Sequence, residues 1–336
     1  MDALICSQPG SLELVQMPDP RAGSDAVLVR PRRVGICGTD YHIYQGKHPY
    51  LEYPRVMGHE LAVEVVEAPT GSGVTPGETY VVNPYLSCGR CIACRVGKPN
   101  CCVSISVLGV HQDGGMAELL SLPAANLVSA EGLSADECAS VEFLSIGAHA
   151  VRRSGVSSGD NVLVVGTGPI GLGVALFARL AGAAVAVFDR DAERASAAQS
   201  IAGAVPLPSQ GDVLQSVLAF TNGDGFGVAF DATGSQAAMQ GGFDLVAHGG
   251  RYVLVSVVKD SITFSDPDFH RKEMALLASR NATTADFEHV IAAIRNGEVP
   301  VAHLITHRTS LGNAVHDIPV WATQKTGLIK AIIEIA

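Results

Sequence analysis

The stretch that decides the fold is Asn161-Val162-Leu163-Val164-Val165-Gly166-Thr167-Gly168-Pro169-Ile170-Gly171. Its first five residues are a short apolar run rich in β-branched side chains, the pattern of a strand buried in a parallel sheet. Gly166 to Gly171 then spell G-x-G-x-x-G, and an Ala/Leu-rich helix is predicted from there to about Ala181. A lone G-x-G-x-x-G is weak. Here a strand precedes it, a helix follows it, and a second strand, Ala184 to Phe188, ends at Asp189. That acid lies 18 residues beyond Gly171, close to the ~20 at which a carboxylate meets the adenosine ribose of a dinucleotide. Gly166 permits the turn, Gly168 lets a pyrophosphate approach the backbone, and Gly171 lets helix and strand pack. Pro169 and Ile170 open the helix whose N–H groups would face the phosphates. Asp189 would repel a 2′-phosphate, so NAD is the expected cofactor, and Arg190 directly after it softens that preference toward NADP.

The pattern continues outward as a doubly wound sheet. Further strands are predicted at Gly203 to Leu207, Gly227 to Phe230, Arg251 to Val255 and Met274 to Ala278, with helical stretches between several of them. Asp231-Ala232-Thr233-Gly234 falls at a strand's carboxyl end, where cofactors rest in such sheets. From Asn161 to Phe188 the only charged residue is Arg179, so a hydropathy window could mistake the segment for a membrane span. Pro169 and the glycines interrupt it, and strand, turn and helix is the better reading.

At 336 residues the chain has room for about two domains. A composition of 47% hydrophobic and 17% charged residues excludes a disordered polymer and fits an enzyme with a large core. The net charge of −10, with no Lys/Arg block, argues against nucleic acid or an anionic membrane as partner. Aromatic content of 5% makes stacking platforms for single strands improbable. No basic segment followed by an apolar stretch opens the chain, so the expected location is cytoplasmic.

Eight cysteines stand at Cys6, Cys37, Cys88, Cys91, Cys94, Cys101, Cys102 and Cys138. In a reducing compartment, clustered cysteines indicate metal rather than disulfides. Cys88, Cys91 and Cys94 are two residues apart, and Cys101 or Cys102 is available as a fourth ligand. Four thiolates satisfy tetrahedral zinc and leave no open position, so such a site folds a loop and does no chemistry. Spacing alone also permits an iron–sulfur cluster. Arg90, Arg95 and Lys98 lie in the same lobe and could offset the excess thiolate charge.

A second constellation is more dispersed. Gly35-Ile36-Cys37-Gly38-Thr39-Asp40-Tyr41-His42 and Gly58-His59-Glu60 offer a thiolate, an imidazole and nearby carboxylates, a set suited to zinc with a vacant position. Glu142, a charge in the apolar stretch Val141-Glu142-Phe143-Leu144, needs a partner and is a candidate third ligand. Zinc with one thiolate and one carboxylate is formally neutral, which eases burial. Asp40 is then a candidate acceptor for the free ring N–H of His59.

With these residues assembled, the chain resembles the zinc-containing medium-chain alcohol dehydrogenase family from end to end. The specific matches are Gly35 to His42, Gly58-His59-Glu60, the four-cysteine lobe ending Lys98-Pro99-Asn100-Cys101-Cys102, and the loop Gly166 to Gly171. Glu142 stands where the alcohol-dehydrogenase branch has cysteine, as in the sorbitol and threonine dehydrogenase branch. Finer similarity, in His48 to Val56, Gly109 to Gly115, Phe264 to His270 and Ser279 to Thr283, is to bacterial sugar-acid 5-dehydrogenases acting on L-galactonate or L-gulonate. Departures are Val63 for a frequent glycine, Gly77-Glu78-Thr79-Tyr80 for a Gly-Asp-Arg-Val turn, and Phe143 for proline.

The resemblance implies an α/β fold: a GroES-like, mostly-β catalytic domain over residues 1–144 and 283–336, and a Rossmann NAD-binding domain over 145–282. A helix from Ala285 to Asn296 and a final strand from Leu328 to Ile335 fit the return, and the active cleft would lie between the domains. It implies two zinc ions, one structural, on Cys88, Cys91, Cys94 and Cys102 in a lobe over about 86–103. The catalytic zinc would sit on Cys37, His59 and Glu142, with Glu60 an alternative or transient ligand. Thr39 would accept the substrate hydroxyl's proton and His42 pass it to solvent. The implied reaction is oxidation of a secondary alcohol, the substrate a polyhydroxy acid or a polyol, the assembly a homodimer or homotetramer. A substrate carboxylate would need a cation, for which Arg280 at a strand end is the candidate, with His111 and Lys259 behind it. The rivals are a sorbitol-like polyol dehydrogenase, an L-threonine dehydrogenase, and a catalytically silent NAD(H)-binding sensor, which would not retain Cys37, His59, Glu60 and Glu142 together.

Overall fold

A computed structural model describes every residue except Ser24, Pro49, Tyr50, Gln210 and Lys325, so two residues of the His48 to Val56 motif lie outside the described residues. The chain forms two compact units, Met1–Phe143 with Ala282–Ala336, and Leu144–Asn281.

The first unit is mostly β. Its largest sheet runs Leu127–Ser129, Thr79–Val82, Glu60–Glu67, Ala26–Ile36, Lys330–Glu334, Ile305–Ser310, with Leu120–Pro123 also pairing on Ala26–Ile36. The long strand Ala26–Ile36 buries alternate residues, Val27 and Val29 among them, as a half-buried strand must. Pro31 lies where the register against Glu60–Glu67 shifts, the place in a sheet that tolerates a missing N–H. Beyond the shift, Gly35 faces Glu60 on one side while Ile36 faces Ala331 on the other. This register brings Glu60 and Lys330, 270 residues apart, to the two flanks of one strand end. A Cβ at Gly35 would come within 2.1 Å of a Glu60 carboxylate oxygen, so only glycine fits there.

The second unit is a parallel six-stranded sheet in the order Val205–Pro206, Ala184–Phe188, Asn161–Val165, Phe226–Asp231, Val246–Leu254, Ala275–Ala278. Numbered within the unit this is 3-2-1-4-5-6, the Rossmann order, with the switch point between Asn161–Val165 and Phe226–Asp231. Val162 to Val164 are fully buried, as their uninterrupted apolar run predicts. The strands at 203–207 and 251–255 differ from expectation at their edges: the first shortens to Val205–Pro206 and the second begins five residues earlier, at Val246. The helix after the glycine loop is Pro169–Leu180. Its Gly173 crosses Gly147 of the helix Ala135–Ser154 so closely that a Cβ on Gly147 would meet backbone at 2.4 Å. Among the described residues, no helix is long and apolar enough to cross a membrane.

Candidate metal centres and dinucleotide loop

In the lobe, the sulfurs of Cys88, Cys91, Cys94 and Cys102 all lie within 4.8 Å of one another. Cys91 caps a single helical turn, Ile92–Arg95, and Pro99–Cys101 forms a 3-10 turn that delivers buried Cys102 while leaving Cys101 exposed. Geometry thus separates the two neighbours that spacing could not. The cluster is built for thiolates. Backbone N–H groups of Cys94 and then Val103 pull the Cys91 thiol down to about 6, those of Arg90 and Cys91 lower Cys88, and the Cys88 amide donates to Cys102 Sγ at 3.2 Å. Burial pushes the Cys94 thiol up to about 11; a divalent ion within the four sulfurs would favour the thiolate form of each. Arg90, Arg95 and Lys98 are all exposed on the lobe, and Arg95 donates to the Arg90 carbonyl at 2.6 Å.

At the second constellation, Cys37 precedes the helix Gly38–Tyr44, and its amide donates to Asp40 at 2.8 Å. One ligand atom each from Cys37, His59 and Glu60 falls within a 4.8 Å group. His59 and Glu60 are buried. Burial is the largest influence and disfavours the His59 cation, yet the Cys37 sulfur, Asp40 and Glu142 together outweigh it and the imidazole's affinity for a proton is raised well above the ordinary value. A site that attracts a proton this way is one that a cation fits. The expected Asp40–His59 hydrogen bond is a correction. His59 Nδ1 and Asp40 Oδ1 both lie buried without a hydrogen-bond partner, while the other Asp40 oxygen accepts from the Cys37 amide.

The two candidate carboxylates are held differently. Glu60, fully buried, has both oxygens 2.7 Å from Lys330 Nζ. Lys330, 1% exposed, also donates to the Ile36 carbonyl at 3.3 Å and stands 4.3 Å over the ring of Phe143. Glu142, on the helix Ala135–Ser154, lies outside the 4.8 Å group and accepts a hydrogen bond from the Tyr85 hydroxyl. Burial pushes its carboxyl up to about 7, against the pull of His59. Tyr85, whose ring meets Phe287 edge-on at 6.5 Å, is kept a donor by burial of its hydroxyl end and by the Glu142 charge.

In the second unit, Gly166 has φ +90° and its amide donates to the Phe188 carbonyl at 2.8 Å. A Cβ on Gly171 would sit 1.8 Å from the Gly166 carbonyl oxygen, whereas one on Gly168 would meet nothing. The loop is closed behind and open in front, where a pyrophosphate would approach the N-terminus of Pro169–Leu180.

Two family models match the chain: "Alcohol dehydrogenase GroES-like domain" over residues 23–132 and "Zinc-binding dehydrogenase" over 169–296. The chain is 40% identical over 335 residues to L-galactonate-5-dehydrogenase of Escherichia coli K12, covering 99% of this chain and 98% of that one. It belongs to the zinc-binding alcohol dehydrogenase family. Two solved members align over the whole chain. An alcohol dehydrogenase of E. coli CFT073 complexed with NADH has a TM-score of 0.92 at 28% identity, covering 99% of both chains. A zinc-binding dehydrogenase of Sinorhizobium meliloti 1021 bound to NADP has a TM-score of 0.91 at 29% identity, covering 99% and 98%. The chain is therefore an oxidoreductase of CH–OH donors with the GroES-like and Rossmann-type fold of zinc-type medium-chain dehydrogenases.

The remaining candidates take these places in the dehydrogenase. Thr39 is half-buried in the first turn of Gly38–Tyr44, and His42, one turn on, is exposed. Arg280 is exposed just past the end of the outer strand Ala275–Ala278, between buried Ser279 and Asn281, whose φ is +53°. His111 is exposed, and its Nδ1 accepts the Val107 amide at 3.1 Å. Asp189 is half-buried; its Oδ2 accepts from the amide and hydroxyl of Thr167 at 2.7 and 2.9 Å, and its Oδ1 from the Asp191 amide at 2.9 Å. Arg190 beside it is exposed. Sequence reading missed Lys330, Tyr85 and Thr167. The available signal was Lys330 itself, a lysine directly preceding the apolar run Ala331-Ile332-Ile333 of the final strand.

Proposed function

We propose that this dehydrogenase oxidises a secondary alcohol of a sugar acid, of the L-galactonate or L-gulonate type at C5, with NAD as hydride acceptor. The observation that carries the reading is the 40% identity to an L-galactonate-5-dehydrogenase along essentially the full length of both chains. The solved relatives hold NADH in one case and NADP in the other, so the choice of NAD rests on Asp189. Domain limits of 1–144 with 283–336, and 145–282, belong to the same reading. A cytoplasmic location is supported by eight free cysteines. A homodimer or homotetramer is supported by the outer strand Ala275–Ala278, which among the described residues is paired on one side and exposes Leu276.

Two zinc ions belong to the reading, one held by Cys88, Cys91, Cys94 and Cys102, the other by Cys37, His59 and Glu142. Zinc at an open site acidifies a hydroxyl and stabilises negative charge on its oxygen, and NAD supplies the hydride acceptor. The chain's own groups do the rest. Lys330 neutralises Glu60, so Glu60 is held back as an alternative ligand and the Cys37 and Glu142 charges alone balance a divalent ion. Tyr85 fixes the Glu142 carboxylate. Thr39 and His42, three residues apart on one helix face, carry the substrate proton from a half-buried hydroxyl to an exposed imidazole in contact with water. Arg280 presents a guanidinium matched to a carboxylate, with His111 a second candidate contact.

The test compares wild type and Arg280→Ala on an aldonate and on the corresponding uncharged polyol. The expected result is a tenfold or greater fall in kcat/KM for the aldonate, about 1.4 kcal/mol, with the polyol much less affected. Equal losses on both would make Arg280 structural. A wild type that prefers the polyol would overturn the sugar-acid assignment in favour of a sorbitol-like enzyme.

A further inference from the structure

The carboxylate of Asp189 does not stand alone at its strand end. Oδ2 takes two hydrogen bonds from one residue, the Thr167 amide at 2.7 Å and the Thr167 hydroxyl at 2.9 Å. Oδ1 takes one, from the Asp191 amide at 2.9 Å. A carboxylate oxygen offers about two lone pairs, so Oδ2 is filled and Oδ1 keeps one acceptor position. Thr167 is 2% exposed. If Asp189 turned away, the Thr167 hydroxyl would be left buried without a partner, an arrangement that proteins avoid. One residue earlier, the Gly166 amide is bound to the Phe188 carbonyl at 2.8 Å. Loop and strand end are therefore joined at two successive residues on each side.

We propose that Thr167 is a positioning residue that sets dinucleotide preference: its hydroxyl locks Asp189 in one orientation, with a single acceptor site left for the adenosine ribose. The inference rests on the reading that Asp189 receives that ribose. A locked charge cannot swing aside for a 2′-phosphate, whereas one hinged at the backbone can. The second position of a G-x-G-x-x-G loop thereby acts on the far end of the next strand, 22 residues on.

The experiment titrates NADH and NADPH by fluorescence into the full-length, zinc-loaded wild type and its Thr167→Val, Thr167→Ser and Asp189→Ala variants, without turnover. Valine keeps the shape and the amide bond but deletes the hydroxyl; serine restores it. Thr167→Val is expected to weaken NADH tenfold or more and NADPH by less than threefold, with Thr167→Ser within threefold of wild type for NADH. Thr167→Val with unchanged preference, or with both dinucleotides weakened equally, overturns the proposal while a loss of NADH in Asp189→Ala leaves the ribose reading intact. An Asp189→Ala variant that keeps wild-type affinity and preference would sink that reading and the proposal with it.

Discussion

Lys330→Met removes one half of the most deeply buried ion pair of the chain's described residues, and its cost can be worked from the geometry. Lys330 is 1% and Glu60 0% exposed, and the ammonium lies 2.7 Å from both carboxylate oxygens. Removing one partner of such a pair strands the other charge in the interior, which costs about 3–5 kcal/mol. Loss of the contact with the Phe143 ring adds about 1–2 kcal/mol, offset in part because methionine refills the space with apolar atoms. Against a typical total of about 5–15 kcal/mol, the expected net loss of ~3–5 kcal/mol is a large fraction. The single tryptophan, Trp321, packs on the core of the first unit and reports its unfolding. Urea titration followed by Trp321 fluorescence at pH 7 should place Lys330→Met well below wild type. The double variant Lys330→Met/Glu60→Leu should regain most of the loss, because no charge is then stranded. A Lys330→Met midpoint equal to wild type, or a double variant no better than the single, would refute the argument that the pair is a mutually dependent buried unit.

Three further outcomes are expected. Cys94→Ser should lose the lobe's zinc and stability and keep the other ion, while Cys37→Ser should abolish turnover, keep the lobe's ion and still bind NADH; metal analysis that finds both ions in either variant contradicts the assignment. Tyr85→Phe removes a side-chain hydrogen bond to Glu142, and zinc affinity at the Cys37 site, read by competition with a chelator, should fall about 10–100-fold; unchanged affinity would take Tyr85 out of the site. Asp136 accepts from Arg308 and Arg33, and these guanidiniums hold its carboxyl below the usual range. A lowered folded value gives stability that is full above the unfolded carboxylate's pKa and is lost as pH falls through the folded one. Asp136→Asn should therefore lower the melting temperature at pH 7 and flatten its acid limb; parallel melting curves against pH for the two proteins would reject this.

What the sequence disclosed was local. The strand–loop–helix around Gly166 to Gly171 could be read because each residue's task is fixed by its immediate neighbours, and the structure places the turn, the open front and the close packing at those glycines. The cysteine lobe was legible for the same reason: four thiols that meet within a 15-residue span leave their spacing in the text. The strand starts misplaced by two residues near 203 and by five near 246 also have a physical cause, since pairing with a neighbour, not composition, decides where a strand begins.

The carboxylates around Cys37 were legible only in part, because their partners are set by register. Nothing near Glu60 in the sequence announces a cation. Lys330 reaches it because the bulge at Pro31 shifts Ala26–Ile36 until Gly35 meets Glu60, while the returning strand Lys330–Glu334 is added on the other flank. The lack of a side chain at Gly35 then lets the carboxylate pass across the strand end. Phe143 places its ring under the same ammonium. An aromatic face here and a lysine there are therefore one feature, divided between the two sides of the cofactor unit in the sequence. If that coupling is right, Phe143→Leu should lower the urea midpoint in wild type, where it removes the face under the ammonium, and lower it much less in a Lys330→Met background, where no cation is left to support. Equal losses in the two backgrounds would mean that the ring matters only as volume and that the two residues act independently.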